Sequence, residues 1–519
     1  MIVALALLAC EAGGPSTMAA GELSLEAGPP SPCEAPLPSV SYTEVGGTWG
    51  LRGDPDVDAE HLGGGFAAVF DADADGDLDV LLNLTAGEPR VQVGPVLFRR
   101  EGQGFVEEPI EGLVEALQLS LSDLDGDGDL DVALGGSQRF LAAEEGTLVP
   151  RDLVGMPAER AGFVKELEAA DLDQDGLVDL YALTAGASLA GDVGGDFLLR
   201  GVAPGEWSLE LLPDPDTARR EGFDALWLDA DGDDDMDLYV VNDRGDQVGP
   251  NVLYRNDGGA LVDASEECAC GLALSGMAVD AADWNGDALP DLYLAATWDN
   301  VLLASETDGT WVDVTQATGA DPLAPADEIF SPMSWSAIWL DHDNDGRLDL
   351  LSAQGDLWYA DDGEGLRRDQ PLDLLRWDGE AFVDVAIDLG LDQAGSFRAA
   401  VAADHNDDGV LDLLVTEVIE RPQLYLSDGC TAAGWLAVEG PVGARVEVVA
   451  GGQRQVRWIQ TASGYAGAGP ARAHVGLGAH QQVDAVRVTL PDGRFAAQVG
   501  PMPARRVLRV VDPDREATR

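Results

Sequence analysis

The 519-residue chain has one lysine, Lys165, and only 30 basic residues against 95 acidic ones, for a formal net charge of −65. So little positive charge leaves no basic patch for nucleic acid or for an anionic lipid surface. Arginine fills the other basic positions, and we read the shortage of lysine as codon bias. Histidine and cysteine are scarce as well. His61, His342, His405, His474 and His480 form no cluster in sequence, and Cys268-Ala269-Cys270 is an isolated CxC, too sparse for a zinc site. No apolar run approaches the roughly 20 residues that span a bilayer as a helix. There is no G-x-S-x-G, no P-loop and no strand-to-helix G-x-G-x-x-G, and acid pairs are too abundant to single out a glycosidase dyad. No catalytic motif is therefore found.

Turn residues and apolar residues are plentiful. With 63 glycines, 28 prolines and 45% hydrophobic residues, the chain reads as a folded protein of many short strands, not a disordered acidic one. Residues 1–10 end in Leu7-Leu8-Ala9-Cys10 behind a short apolar run, which fits the apolar region of a secretory signal. The same four residues resemble a bacterial lipoprotein box, making Cys10 a candidate lipid anchor. The basic residues that usually precede such a run are missing, and position 8 is larger than usual. Residues 11–40, rich in Gly, Pro, Ser and Glu, read as a flexible tether. Beyond Cys10 four cysteines remain, Cys33, Cys268, Cys270 and Cys430, and three pairings are open. Cys33 and Cys430 flank the repeats described next, so one of these pairings would close a ring.

The dominant feature is a nine-residue loop, D-x-[DN]-x-D-G-x-x-D, present seven times at intervals of 48 to 63 residues. Its acidic positions 1, 3, 5 and 9 are Asp71, Asp73, Asp75 and Asp79 in loop 1, then Asp123, Asp125, Asp127 and Asp131 in loop 2. Loop 3 has Asp171, Asp173, Asp175 and Asp179, and loop 4 has Asp229, Asp231, Asp233 and Asp237. Loop 5 has Asp283, Asn285, Asp287 and Asp291, and loop 6 has Asp341, Asp343, Asp345 and Asp349. Loop 7 has Asp404, Asn406, Asp408 and Asp412. Apolar runs such as Ala225-Leu226-Trp227-Leu228 precede each loop and others such as Leu238-Tyr239-Val240 follow it, which reads as strand–loop–strand. Third and fourth strands are legible at Asn251–Asn256 and at Trp311–Val314. Four-stranded units repeated in this way close into a radial ring. The expected fold is all-β: a seven-bladed β-propeller over 41–430, a small β-rich, sandwich-like domain over 434–512, and a tail at 513–519.

Carboxylates at alternate positions of a tight turn, with a further one at position 9, are the hard oxygen donors that Ca2+ takes six to eight at a time, at about 2.3–2.6 Å. Without a cation they would repel one another or bind protons. All 28 positions are expected to be ligands, for up to seven ions, which would bring the formal charge from −65 to −51. An EF-hand needs an acid at position 12, where this chain has Leu82, Leu134, Ala182, Val240, Leu294, Ser352 and Val415. Loops 4 and 5, with Asp234 and Ala288 in place of the position-6 glycine, are expected to be the weakest, and Asn285 and Asn406 each lower a site's charge by one. His342 and His405, at position 2, are expected to point away from the ion. The position-8 residues, among them Leu78, Met236 and Leu348, are expected to pin the loops to the core.

With these loops the chain resembles FG-GAP and VCBS-type repeat proteins, and Gly276–Leu294 looks like the repeats of the cartilage acidic protein family and its bacterial relatives. Gly443–Val448, Ser463-Gly464-Tyr465, His474–Gly478 and Leu490–Arg494 resemble, in that order, the UnbV/ASPIC domain. The resemblance implies an extracellular, calcium-dependent propeller protein. The expectation is an exported cell-surface or secreted binding or adhesion protein, with structural calcium and an extracellular protein or glycan as partner. The alternative is a propeller-based enzyme acting on extracellular polysaccharide. Arg52-Gly53-Asp54 and Arg244-Gly245-Asp246 are read as chance matches in a chain rich in Gly and Asp, and the sequon at Asn83, directly after a strand and behind a bacterial-looking signal, as inert.

Overall fold

The computed structural model describes residues 23–51, 63–86, 91–110, 112–113, 116–161, 164–184, 195–212, 217, 220–321, 333–355, 370–417 and 421–513. The signal segment, Cys10, His61, Arg52-Gly53-Asp54 and nearly all of the expected tail lie outside these residues. Each repeat forms a four-stranded antiparallel sheet, and seven such sheets make up the propeller. In the fifth blade, Gly276–Ala282 and Asp291–Ala296 are buried at every residue. Neighbouring blades cover both their faces, so these inner strands read as unbroken apolar runs rather than alternating ones. The outermost strands differ: Leu261–Asp263, Trp311–Asp313 and Phe382–Asp384 bury their first residue and expose the next two. Three residues ending in an acid make a short, charged edge that discourages sheet-to-sheet aggregation.

Buried carboxylates tie successive blades together. Ala225 N donates to Glu166 Oε2 at 3.1 Å, Val279 N to Asp224 Oδ2 at 2.8 Å, and Trp339 N to Asp280 Oδ2 at 2.8 Å. Each bond joins the inner strand of one blade to that of the next. Asn83 is buried too and donates through Nδ2 to Ala116 O at 2.6 Å, which removes its sequon from the surface.

The last blade takes its fourth strand from the start of the chain: Tyr42–Glu44 pairs antiparallel with Gln423–Ser427. Beside this closure Cys33 is bonded to Cys430, and the remaining pair is Cys268–Cys270. The C-terminal domain consists of two four-stranded sheets around one core that includes Leu436, Val446, Val475, Val488 and Leu508. One of its edge strands departs from the sequence reading. Part of the expected tether, Ser24–Ala27, pairs antiparallel with Arg506–Val511. Leu23 and Leu25, two residues apart, pack against that core while Ser24 and Glu26 face solvent. The surrounding Gly and Pro hide this brief alternation.

The C-terminal domain also fills the centre of the ring. Its segment from Ile459 to Gly469 runs among the inner strands. Thr461 Oγ1 donates to Leu121 O at 2.9 Å and Ser463 Oγ to Ala400 O at 2.9 Å. Gly467-Ala468 pairs in parallel with Ala67-Ala68 as a fifth strand of the first blade. Tyr465 stacks on Phe223 with ring centroids 5.0 Å apart and lies 5.6 Å from Trp335. These contacts reach the first, second, fourth, sixth and seventh blades. Removing the ring that fills this junction leaves a cavity, so Tyr465→Ala is expected to lower stability by roughly 3 kcal/mol and Tyr465→Phe by far less, as measured by denaturant unfolding.

Candidate metal centres

The seven acidic loops share one backbone path. Each joins the innermost strand of a blade to the second strand, and each has positive φ at positions 4 and 6. Position 6 is glycine in five loops. Asp234 (φ 70°) and Ala288 (φ 74°) adopt the same left-handed conformation without it, at a cost of roughly 1 kcal/mol each. The two irregular loops therefore keep the common shape under strain. Position-8 side chains, including Leu78, Met236 and Leu348, are buried beneath the loops.

Two hydrogen-bond patterns recur in all seven. The position-5 carboxylate accepts from the backbone N–H of position 7, as in Asp77 N to Asp75 Oδ1 at 2.9 Å and Val410 N to Asp408 Oδ1 at 2.8 Å. The position-9 carboxylate is used at both oxygens. Its Oδ2 accepts from position 2 of its own loop, for example Leu124 N to Asp131 at 2.8 Å. Its Oδ1 accepts from the blade's third strand in all seven loops, for example Asn256 N to Asp237 at 2.7 Å. All seven position-9 aspartates are buried. The spacing had suggested a ligand alone, whereas this residue is also the fastener between loop and sheet. A carboxylate has about four lone-pair sites, so two N–H bonds leave capacity for a cation.

The residues present suit a divalent ion. Carboxylate oxygens of Asp71, Asp73 and Asp79 lie within 4.8 Å of one another, as do those of Asp123, Asp125 and Asp127, of Asp171, Asp173 and Asp175, and of Asp229, Asp231 and Asp237. Loop 4 thus gathers its acids despite lacking the glycine. In loop 6 the group is His342, Asp343 and Asp349, with His342 Nδ1 2.5 Å from Asp349 Oδ2. His342 therefore turns toward its loop, against the expectation, because the fastening aspartate is an acceptor within reach of position 2. The His405 ring lies edge-on to Phe105, 6.4 Å between centroids, and neither of its nitrogens has a hydrogen-bond partner. Asp125 Oδ1, Asp283 Oδ1 and Asp341 Oδ1 are buried without a hydrogen-bond partner. A bare buried carboxylate oxygen is costly, and a cation answers that cost.

Burial is the leading influence on these acids, countered by the N–H bonds and reinforced by neighbouring carboxylates. It raises Asp79 and Asp229 to about 6, Asp237, Asp291 and Asp404 to about 7, and Asp131 to about 8. Arginines supply part of the missing charge: Arg99 pairs with Asp73, and Arg200 lies 3.2 Å from Asp179. Arg244 of the second Arg-Gly-Asp is engaged by Glu221.

Two family profiles match this chain. An FG-GAP-like repeat matches residues 121–182, 229–294 and 283–352, and "ASPIC and UnbV" matches 440–517. Cartilage acidic protein 1 of Xenopus tropicalis is 23% identical over 261 residues, 45% of this chain and 39% of that protein. The chain thus spans about two fifths of that relative's length. Among solved structures, an Agrocybe aegerita lectin described as recognising non-reducing terminal N-acetylglucosamine is 15% identical with a TM-score of 0.41, covering 69% of this chain and 85% of its own. YCF48 from Cyanidioschyzon merolae is 8% identical with a TM-score of 0.43, covering 74% and 98%. Both are distant likenesses and carry no functional argument.

Two outcomes are expected. Ala288→Gly should raise stability by about 1 kcal/mol, read as an upward shift of the melting temperature, because it relieves a positive φ. In the metal-free protein the raised acids hold more protons folded than unfolded between about pH 4 and 8. Its stability should therefore fall as pH rises through that window, as followed by thermal unfolding in a chelating buffer.

Proposed function

We propose that this chain, built of FG-GAP-like repeats and an ASPIC and UnbV domain, is an exported calcium-binding protein of the cell surface or exterior. Its propeller serves as a scaffold for binding an extracellular protein or glycan. The observation that carries this is the sevenfold recurrence of one loop geometry, with converging carboxylates that burial leaves short of positive charge. All the donors are oxygens in a flexible turn, apart from the His342 nitrogen beside loop 6, which suits calcium better than the stricter octahedron of magnesium. The ions would be held by positions 1, 3, 5 and 9, and their role is stabilisation, since binding to the folded loops favours the native state by mass action. The apolar N-terminal segment supports export, with Cys10 as the candidate lipid anchor. Among the described residues no helix is long and apolar enough to cross a membrane.

The filled centre of the ring supports binding over catalysis. Titratable groups with displaced protonation do gather there: burial lowers Lys165 to about 8 and raises Asp224 to about 8. Asp224 is buried, however, and Lys165 is half-buried against the Phe223 ring. Lys165 Nζ donates to Gly222 O at 3.0 Å and sits 4.2 Å above the Phe223 ring. A polysaccharide-cleaving site would need such groups open to substrate.

The test is metal analysis of the purified full chain together with melting curves in calcium and in a chelator. Several calcium ions per chain and a marked fall in melting temperature on chelation are expected, since one site at a hundredfold excess over its Kd contributes about 2.7 kcal/mol. Identical curves and no bound metal would overturn the proposal.

A further inference from the structure

The loops differ in how far they face water. In loop 3, Asp173, Gln174, Asp175 and Gly176 are exposed, and loops 1, 4 and 5 have similar open tips. In loop 6, Asp341 and His342 are 2% exposed and Asn344 and Asp349 1%, while Asp343 and Asp345 are half-buried. The C-terminal domain provides that cover. Its strand Arg472–Gly478 lies across the loop: Gly478 N donates to Asn344 O at 2.8 Å, and His474 Nε2 meets Asn344 Oδ1 at 2.7 Å. Asn344 Nδ2 donates onward to Gly409 O in loop 7 at 2.7 Å. At Gly476 any Cβ would run into Asp341 Oδ2 and the Asn344 backbone, so only glycine lets the strand lie this close. Beneath the cover a cavity of about 150 Å³ is walled by Asp341, Arg457, Trp435 and His474, among others. The second observation pointing to an ion is Asp341 Oδ1, buried there with no hydrogen-bond partner.

We infer that loop 6 is an occluded cation site, whose ion enters and leaves only when the C-terminal domain lifts from the propeller. This rests on the loops binding calcium as proposed above. Its consequence follows from linkage: if the ion is held only in the docked arrangement, it strengthens docking by the same factor that docking strengthens its binding. The open loops would exchange ions freely, while loop 6 would act as a clasp between the two domains.

The test is exchange of radioactive calcium from the loaded full chain into excess unlabelled calcium. One ion per chain is expected to leave at least about tenfold more slowly than the others. The slow phase should vanish in Asp343→Ala, persist in Asp173→Ala of the exposed loop 3, and quicken in Gly476→Ala. Gly469→Ala, whose added Cβ meets only an ordinary contact with Val401, serves as the control and should leave it unchanged. Release of all ions in one fast phase, or a slow phase that survives Asp343→Ala, would overturn the inference while leaving calcium binding intact. A chain retaining no calcium would overturn the proposed function and this inference with it.

Discussion

The position-9 aspartate is the interaction on which the propeller depends. Once per blade a carboxylate is carried out of water and placed between the loop and the third strand, where both oxygens receive backbone N–H groups. The bonds satisfy donors that would otherwise be stranded at the loop entrance and fix the loop's angle to its sheet. They do not remove the electrostatic cost of burial, which remains visible in the upward displacement of these acids. The acids at positions 1 and 3 add to that cost by crowding the same few ångströms. A divalent ion relieves both at once, so the metal reading and the fold reading share a single cause.

This shared cause explains why so much was legible in the sequence. A residue needed both for a turn and for its attachment recurs in every unit, and the recurrence gave the number of blades and the strands on either side of each loop. The C-terminal sheets were legible through alternation. What stayed hidden were the roles of single residues and the contacts between distant segments. Nothing in the spacing separates an aspartate that only ligates from one that also fastens. Nor does it show that His342, unlike His405, bends back onto its loop, since that depends on which acceptor the packing leaves within reach. Leu23 and Leu25 form too brief an alternation to stand out among glycine and proline. Ile459–Gly469 carries no apolar–polar alternation that would place it, because its partners are scattered over five blades and its shape answers to the centre of the ring.

Burial sorts the seven loops in a way composition does not. From sequence, loops 4 and 5 are the outliers because glycine is replaced there. In the fold both keep the shared backbone, and loop 6, regular in every letter, lies against the C-terminal domain. Its distinction lies in Asn344, a spacer residue that meets the C-terminal strand and the seventh loop together.

The two ends of the chain are interlaced. Residues 24–27 complete a sheet with 506–511, residues 42–44 complete the last blade, and residues 467–468 extend the first. These partners lie hundreds of residues apart in the chain, so each waits unpaired until its distant partner has been made. The delay keeps the ring from locking until the segments that seal it are present. It also means that the first blade is sealed by a segment about four hundred residues downstream, so loss of Gly467-Ala468 would leave the blade's inner strand without that partner.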